Sequence, residues 1–229
     1  MGLYDEWDDN PAIINPNESH MACMLLVDTS GSMSGEAIES LNEGLNNFKR
    51  DVIKDKRTEA ILDVAIVEFN SIVRVVQPWC PISNMEPVKL TAGGGTAMEE
   101  GLRMAIDMVK ERSKFYLEAT GTVPYKPWII MITDGYPNGS IDEIAKEIAD
   151  LDEKGKLHLW SLAVRGADNA MLNKLCGGKR ALKLNGTDFS GFFDWVNKSM
   201  RSVSQSVPGT KAKGVDLPEN VDKNTDDWM

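Results

Sequence analysis

The sequence predicts an α/β fold in which helices cover both faces of a mostly parallel sheet. Three observations predict it. Apolar runs of strand length alternate with amphipathic stretches of helix length along residues 19–206. All but one of the connections between successive strands are long enough to carry a crossover helix, as parallel neighbours require. The strongest apolar runs are continuous rather than alternating, the pattern of strands buried on both faces.

Residues 24–27 read as the first strand, and Ile38, Leu41, Leu45, Phe48 and Val52 form the helical stripe that follows. Leu62–Phe69 is the second strand and residues 72–76 the third, joined through Asn70 and Ser71. That turn is too short for a crossover, so the pair is expected to be an antiparallel hairpin. Pro78, Pro81 and Pro87 then mark an irregular loop. Met98, Leu102, Ala105 and Val109 stripe a second helix, and residues 128–132 form a strongly apolar fourth strand. Ile141, Ile144, Ile148 and Leu151 stripe a third helix, ended by Gly155, before a fifth strand at 157–164. A short helix near 170–175 stops at Gly177 and Gly178, and Ala181–Leu184 is the sixth strand. Phe189, Phe192, Val196, Met200 and Val203 trace the last helix.

Composition bounds what such a domain can do. The 229 residues are 42% hydrophobic and 26% charged, enough for one α/β domain with a real core. A formal charge of −10 argues against nucleic acid, because phosphate-backbone binding needs clustered Lys and Arg. The acid is concentrated at the ends. Residues 1–18 carry five acids and no base, and residues 207–229 carry five acids against three Lys. Both stretches are polar and aperiodic, so they read as acidic arms around a domain at 19–206. Each arm holds apolar anchors: Leu3, Tyr4 and Trp7 at one end, Trp228 and Met229 at the other. The longest apolar run, residues 21–27, is far short of the roughly 20 residues of a membrane span. The N-terminus has neither the basic nor the apolar region of a secretion signal, so a cytoplasmic location is expected. Cys23, Cys80 and Cys176 are odd in number and never form a C-x-x-C pair, which favours reduced thiols over a disulfide or zinc framework.

The chemistry is concentrated in three loops that should open on one edge of the sheet. The first strand runs into Asp28-Thr29-Ser30-Gly31-Ser32, which places a carboxylate and two hydroxyls at alternate positions. Gly93-Gly94-Gly95-Thr96 precedes the second helix, and Thr133-Asp134-Gly135 follows the fourth strand. The carboxyl edge of an open α/β sheet is where ligands bind. Asp28, Ser30, Ser32, Thr96 and Asp134 offer oxygen ligands only, the set preferred by a hard divalent cation such as Mg²⁺ or Mn²⁺. The absence of His and Cys from the set disfavours zinc and copper. With neutral hydroxyls as direct ligands, the ion stays electrophilic and can take a carboxylate from outside. Asn70, Gly95, Tyr136 and Asn138 fall on the same edge and are candidate rim residues for a partner.

Asp28-x-Ser30-x-Ser32, Thr96 after a glycine run and Asp134 in a Thr-Asp-Gly turn together resemble the metal-ion-dependent adhesion site of von Willebrand factor A domains. The resemblance covers residues 20–206. It implies a Rossmann-like sheet of six strands, mostly parallel, with residues 72–76 as one antiparallel edge. It also implies Mg²⁺ or Mn²⁺ held by Ser30, Ser32 and Thr96, with Asp28 and Asp134 often acting through water, and a partner Asp or Glu completing the shell. The phrases Leu-Leu-Val-Asp-Thr-Ser-Gly-Ser-Met and Ile-Thr-Asp-Gly-Tyr-Pro are most similar to the bacterial TerY-like, tellurite-resistance-associated group. That likeness implies a protein kinase and a PP2C-type phosphatase as partners in a stress or defence system.

The expected function is therefore a non-enzymatic, cation-dependent protein-interaction module. Two alternatives remain at this point: a Mg²⁺-dependent phosphohydrolase using Asp28, and a structural subunit with a vestigial metal site. The phosphohydrolase would want a second acid two residues after Asp28, where Ser30 stands. A phosphate loop at Gly93–95 lacks the Lys of a Walker motif, and the 31–35 segment has Met33 where a nucleophile elbow needs Ser. His158 reads as a structural residue. A tail acid, Asp226 or Asp227, anchored by Trp228, is a further candidate to occupy the metal's open position and autoinhibit.

Overall fold

The computed structural model describes residues 15–223. Its elements in chain order are β1 (Met21–Asp28), α1 (Glu36–Val52), α2 (Lys56–Ile61), β2 (Leu62–Phe69), β3 (Val73–Pro81) and α3 (Met98–Thr120). There follow β4 (Trp128–Thr133), α4 (Asp142–Glu153), β5 (His158–Ala163), α5 (Asn169–Leu175), β6 (Ala181–Leu184), α6 (Ser190–Ser204) and β7 (Val221–Lys223). The strands form one sheet in the order β3-β2-β1-β4-β5-β6-β7. The five central strands run parallel, and both edge strands are antiparallel to their neighbours.

Every residue of β1 is buried because the strand is covered on both faces. Met21, Cys23, Leu25 and Val27 face a layer containing Leu41, Leu45 and Phe48 of α1 and Phe192, Val196 and Met200 of α6. Met24 and Leu26 face the other layer, with Leu102 and Ala105 of α3 and Ile144 and Ile148 of α4. The period-two alternation of a strand thus splits one apolar run between two cores. Helices α1 and α6 approach closely at Gly44, where an added Cβ would lie 2.6 Å from the Phe193 ring.

Three expectations need correction. The sheet has seven strands rather than six, because Val221–Lys223 pairs with Leu184–Leu182 at the second edge. Residues 207–223 are correspondingly not a free arm. Ser202 Oγ donates to the Lys213 carbonyl (2.7 Å), Trp195 Nε1 to that of Val215 (3.1 Å), and Val221 is buried. A three-residue strand and single apolar anchors leave no periodic signal to read. Likewise β3 continues through Pro78 to Pro81, where a loop was expected; an edge strand tolerates prolines because its outer N–H groups need no partner. Helix α2 also went unread, being only six residues long; the Asp55 carboxylate caps it by accepting from Thr58 N (2.9 Å).

At the other terminus, residues 15–18 form a turn, and the Thr122 hydroxyl donates to the Glu18 carbonyl (3.3 Å). The apolar anchors proposed in the arms (Leu3, Tyr4, Trp7, Trp228 and Met229) and the autoinhibitory acids Asp226 and Asp227 lie outside the described residues. Cys23, Cys80 and Cys176 are buried and free, and burial pushes the Cys23 thiol up to about 12. Among the described residues no helix is long and apolar enough to cross a membrane.

Candidate functional site

The three loops converge where β1 and β4 end, beside the start of α3. Their backbones are stitched together. Thr29 N donates to the Phe69 carbonyl (2.9 Å), Gly93 N to that of Thr29 (2.8 Å) and Gly31 N to that of Gly94 (3.1 Å). Ala97 N bonds the Asn70 carbonyl (2.7 Å), which ties the β2–β3 turn to the start of α3.

On this frame the five sequence-predicted oxygen donors come together. Ser30 N donates to Asp28 Oδ1 (2.8 Å), the hydroxyls of Ser30 and Ser32 are 3.1 Å apart, and Ser32 Oγ donates to Asp134 Oδ1 (2.7 Å). Thr96 is placed by Gly135: a Cβ on that glycine would lie 3.2 Å from Asp28 Oδ2 and 3.3 Å from Thr96 Oγ1. A side chain there would press on both loops, and its neighbours would have to give by a few tenths of an ångström. Asp28 is fully buried, Ser30, Thr96 and Asp134 are also buried, and Ser32 is exposed. The cluster therefore grades from a buried carboxylate floor to an open hydroxyl mouth.

Burial dominates the electrostatics. It pushes the Asp28 carboxyl above its ordinary range, against hydrogen bonds from Thr133 and Ser30, and the charge of Asp134 adds to the push. Burial likewise raises Asp134, opposed by the bond from Ser32. Among the described residues, no Lys or Arg pairs with either carboxylate. Two buried acids without a cation are costly to keep ionised. Among the described residues no group of three or more His, Cys, Asp or Glu side chains could hold an ion. Any ion here would therefore rest on hydroxyls together with the two acids, a donor set that fits a hard cation.

The rim candidates fare differently. Tyr136 is exposed beside the site, and so is Asn138, whose backbone N–H reaches the Thr96 carbonyl (3.4 Å). Gly95 N donates to Ser71 Oγ (2.7 Å). Asn70 is committed internally: its amide donates to Thr29 Oγ1 (3.0 Å) and its Oδ1 accepts from Ile72 N (3.1 Å), so it holds the loop rather than lining a free surface. Sequence reasoning gave no role to Thr133, whose hydroxyl donates to Asp28 Oδ2 (2.5 Å), or to Ser71. Thr133 was legible as a hydroxyl at the end of a central strand; Ser71 carried no signal at all.

A parallel sheet with this loop cluster at its carboxyl edge defines a class of domain, and the comparisons agree on which. The model of the von Willebrand factor type A domain matches residues 23–137, a span that contains all five donors. The chain belongs to that family. No curated protein matches the sequence. Among solved structures, the pilus adhesin SpaC from Lactobacillus rhamnosus GG superposes with a TM-score of 0.63 at 15% identity, covering 82% of this chain and 30% of that one. A von Willebrand factor type A protein from Catenulispora acidiphila gives 0.60 at 16% identity, covering 81% and 43%. The vWF domain of the type V pili tip protein Mfa5 from Porphyromonas gingivalis gives 0.59 at 11% identity, covering 84% and 98%. The chain thus spans less than half of the first two of these proteins, and at such identities the likeness concerns the fold.

Proposed function

We propose that this chain is a divalent-cation-dependent protein-interaction module that docks an acidic side chain of a partner. The observation that carries the reading is the pair of buried carboxylates, Asp28 and Asp134, set among hydroxyls with no cation paired to them among the described residues. Ser30, Ser32 and Thr96 would hold Mg²⁺ or Mn²⁺ through their hydroxyls, with Asp28 and Asp134 supplying charge directly or through water. When bound, the ion supplies an electrophilic position for an outside Asp or Glu. The chain's own task is to hold five oxygens in place and to keep bulk water from the carboxylate floor.

The reading is non-enzymatic. Asp28 is fully buried and both its oxygens accept hydrogen bonds, from Ser30 N and from Thr133 Oγ1, which supports an electrostatic role over attack on a phosphoryl group. Within the family, the likeness of the phrases around Asp28 and Asp134 supports membership of the TerY-like group. The partners are then a protein kinase and a PP2C-type phosphatase of a bacterial stress, tellurite-resistance or defence system, in the cytoplasm. The test is co-purification from the native host in Mg²⁺ and in EDTA. A partner should be retained only with the metal and lost from Asp28→Ala in folded protein. Equal recovery in all arms overturns metal-dependent docking, and phosphomonoester turnover that vanishes in Asp28→Asn overturns the non-enzymatic assignment.

A further inference from the structure

We infer that a cleft next to the oxygen cluster is a second, metal-independent subsite, which takes an anionic side chain from the same partner segment. This rests on the docking reading above for the first contact only. The cleft has a volume of about 530 Å³ and lies over the carboxyl ends of β5 and β6. It begins where the site ends. Tyr136, two residues beyond Asp134, forms one wall, and a Cβ on Gly166 of the opposite wall would lie 3.6 Å from the Asp134 carbonyl oxygen. Val164 N donates to the Thr133 carbonyl (2.8 Å), which holds the two walls in register.

The chemistry of the cleft is cationic. Arg165 and Lys183 both line it, both are exposed, and neither forms an ion pair with another described residue. Two acids lie close to it, Asp168 and Asp222, the latter opposite Lys183 in the β6–β7 register. The Asp168 carboxylate accepts from Met171 N (2.9 Å) at the start of α5, and Asp222 accepts from Asn185 Nδ2 (2.8 Å). In a chain of formal charge −10, Arg165 and Lys183 place two exposed cations in the neighbouring cleft, away from the two buried carboxylates. An approaching segment with one acid finds the metal position. A second acid a few residues along, at roughly 3.3 Å per residue of extended chain, finds Arg165 and Lys183. A basic side chain at that place meets like charge, so the cleft selects against single-acid or mixed-charge partners. The exposed ring of Tyr136 stands between the two subsites and gives the intervening peptide an apolar and hydrogen-bonding surface.

The test is selection of a phage-displayed library of random linear peptides on the full chain, in Mg²⁺ and in EDTA, against wild type and the double variant Arg165→Glu/Lys183→Glu. Both positions are exposed, but Lys183→Glu faces Asp222 across the β6–β7 pair. The single variant Arg165→Glu, which leaves that pair intact, is therefore selected in parallel and should show the same change at the second acid in weaker form. Wild type in Mg²⁺ should enrich peptides with two nearby acids, and the variant should keep the first acid and replace the second by Lys or Arg. Changing the second acid of a selected peptide to its amide should weaken wild-type binding about tenfold and leave the variant unaffected. Enrichment of a single acid on both proteins overturns the second subsite while leaving metal docking intact. Two-acid enrichment that survives EDTA but is lost in the variant supports the subsite and removes the metal reading. Absence of acidic enrichment in every arm overturns both.

Discussion

Strands β1 and β2 carry a buried acid cluster at each end, and the two are built on opposite principles. At the amino end, Asp63 accepts from Arg112 Nη2 and from the Tyr116 hydroxyl, each at 2.6 Å. The Arg112 guanidinium lies over the Phe115 and Tyr116 rings, and His20 stacks on Tyr116 with centroids 5.2 Å apart. The charge is answered from inside the fold. At the carboxyl end, Asp28 and Asp134 are also buried, among hydroxyls and backbone N–H groups, but pair with no cation among the described residues. One acid is paired inside the fold; the other two are held by hydrogen bonds from neutral groups. Burial alone does not tell the two apart, and the partner inventory does.

The comparison can be broken most severely at the amino end. Arg112→Met should strand Asp63 in the core and cost about 3–5 kcal/mol in urea unfolding, whereas Asp28→Asn in metal-free protein should be neutral or stabilising. A large loss in both variants would mean that the carboxyl-end acids are structural after all. Metal sharpens the same contrast. At a hundredfold excess over its dissociation constant, Mg²⁺ should stabilise wild type by about 2.7 kcal/mol in thermal melts. Asp28→Asn should show no such gain, and Arg112→Met should still respond if enough of it folds.

A matched pair of hydroxyl deletions comes next. Tyr116→Phe and Thr133→Val each remove a donor to a buried carboxylate, a loss of about 1.5–3 kcal/mol. Tyr116→Phe should lower stability and leave Mg²⁺ affinity unchanged; Thr133→Val should also weaken Mg²⁺ binding in a calorimetric titration. A pH response belongs to the amino end as well. Burial, and then the charge of Arg180, hold the His158 imidazole down to about 4, although its Nδ1 bonds Asp152 Oδ1 (2.7 Å). Between that value and the ordinary value of 6.5, the unfolded chain binds a proton that the folded chain refuses. Stability should therefore fall as pH drops through this window, by at most about 1.4 kcal/mol per pH unit. His158→Gln should flatten that part of the curve.

Much of the site could be read before any coordinates. Asp28, Ser30, Ser32, Thr96 and Asp134 stand in short motifs, each at the end of an apolar run that already implied a strand or the start of a striped helix. The rest depended on contacts that no local pattern encodes. Nothing in the sequence distinguishes Asn70, locked onto Thr29, from Tyr136, free at the surface, because both follow a strand in similar turns. The docking of residues 207–223 is illegible for a related reason: β7 is defined by pairing with Leu182–Leu184, not by its own three residues. The cleft cations, Arg165 and Lys183, sit 18 positions apart and meet only because β5 and β6 are neighbours in the sheet.

By itself, the sequence determined the layer architecture and the identity of the oxygen donors, because hydrophobic periodicity and motif chemistry are local properties of the chain. The tertiary structure alone decided which acids are answered and which are not. Charge compensation depends on distances between residues far apart in sequence: 49 positions separate Asp63 from Arg112 at one end of the strands, and 106 separate Asp28 from Asp134 at the other.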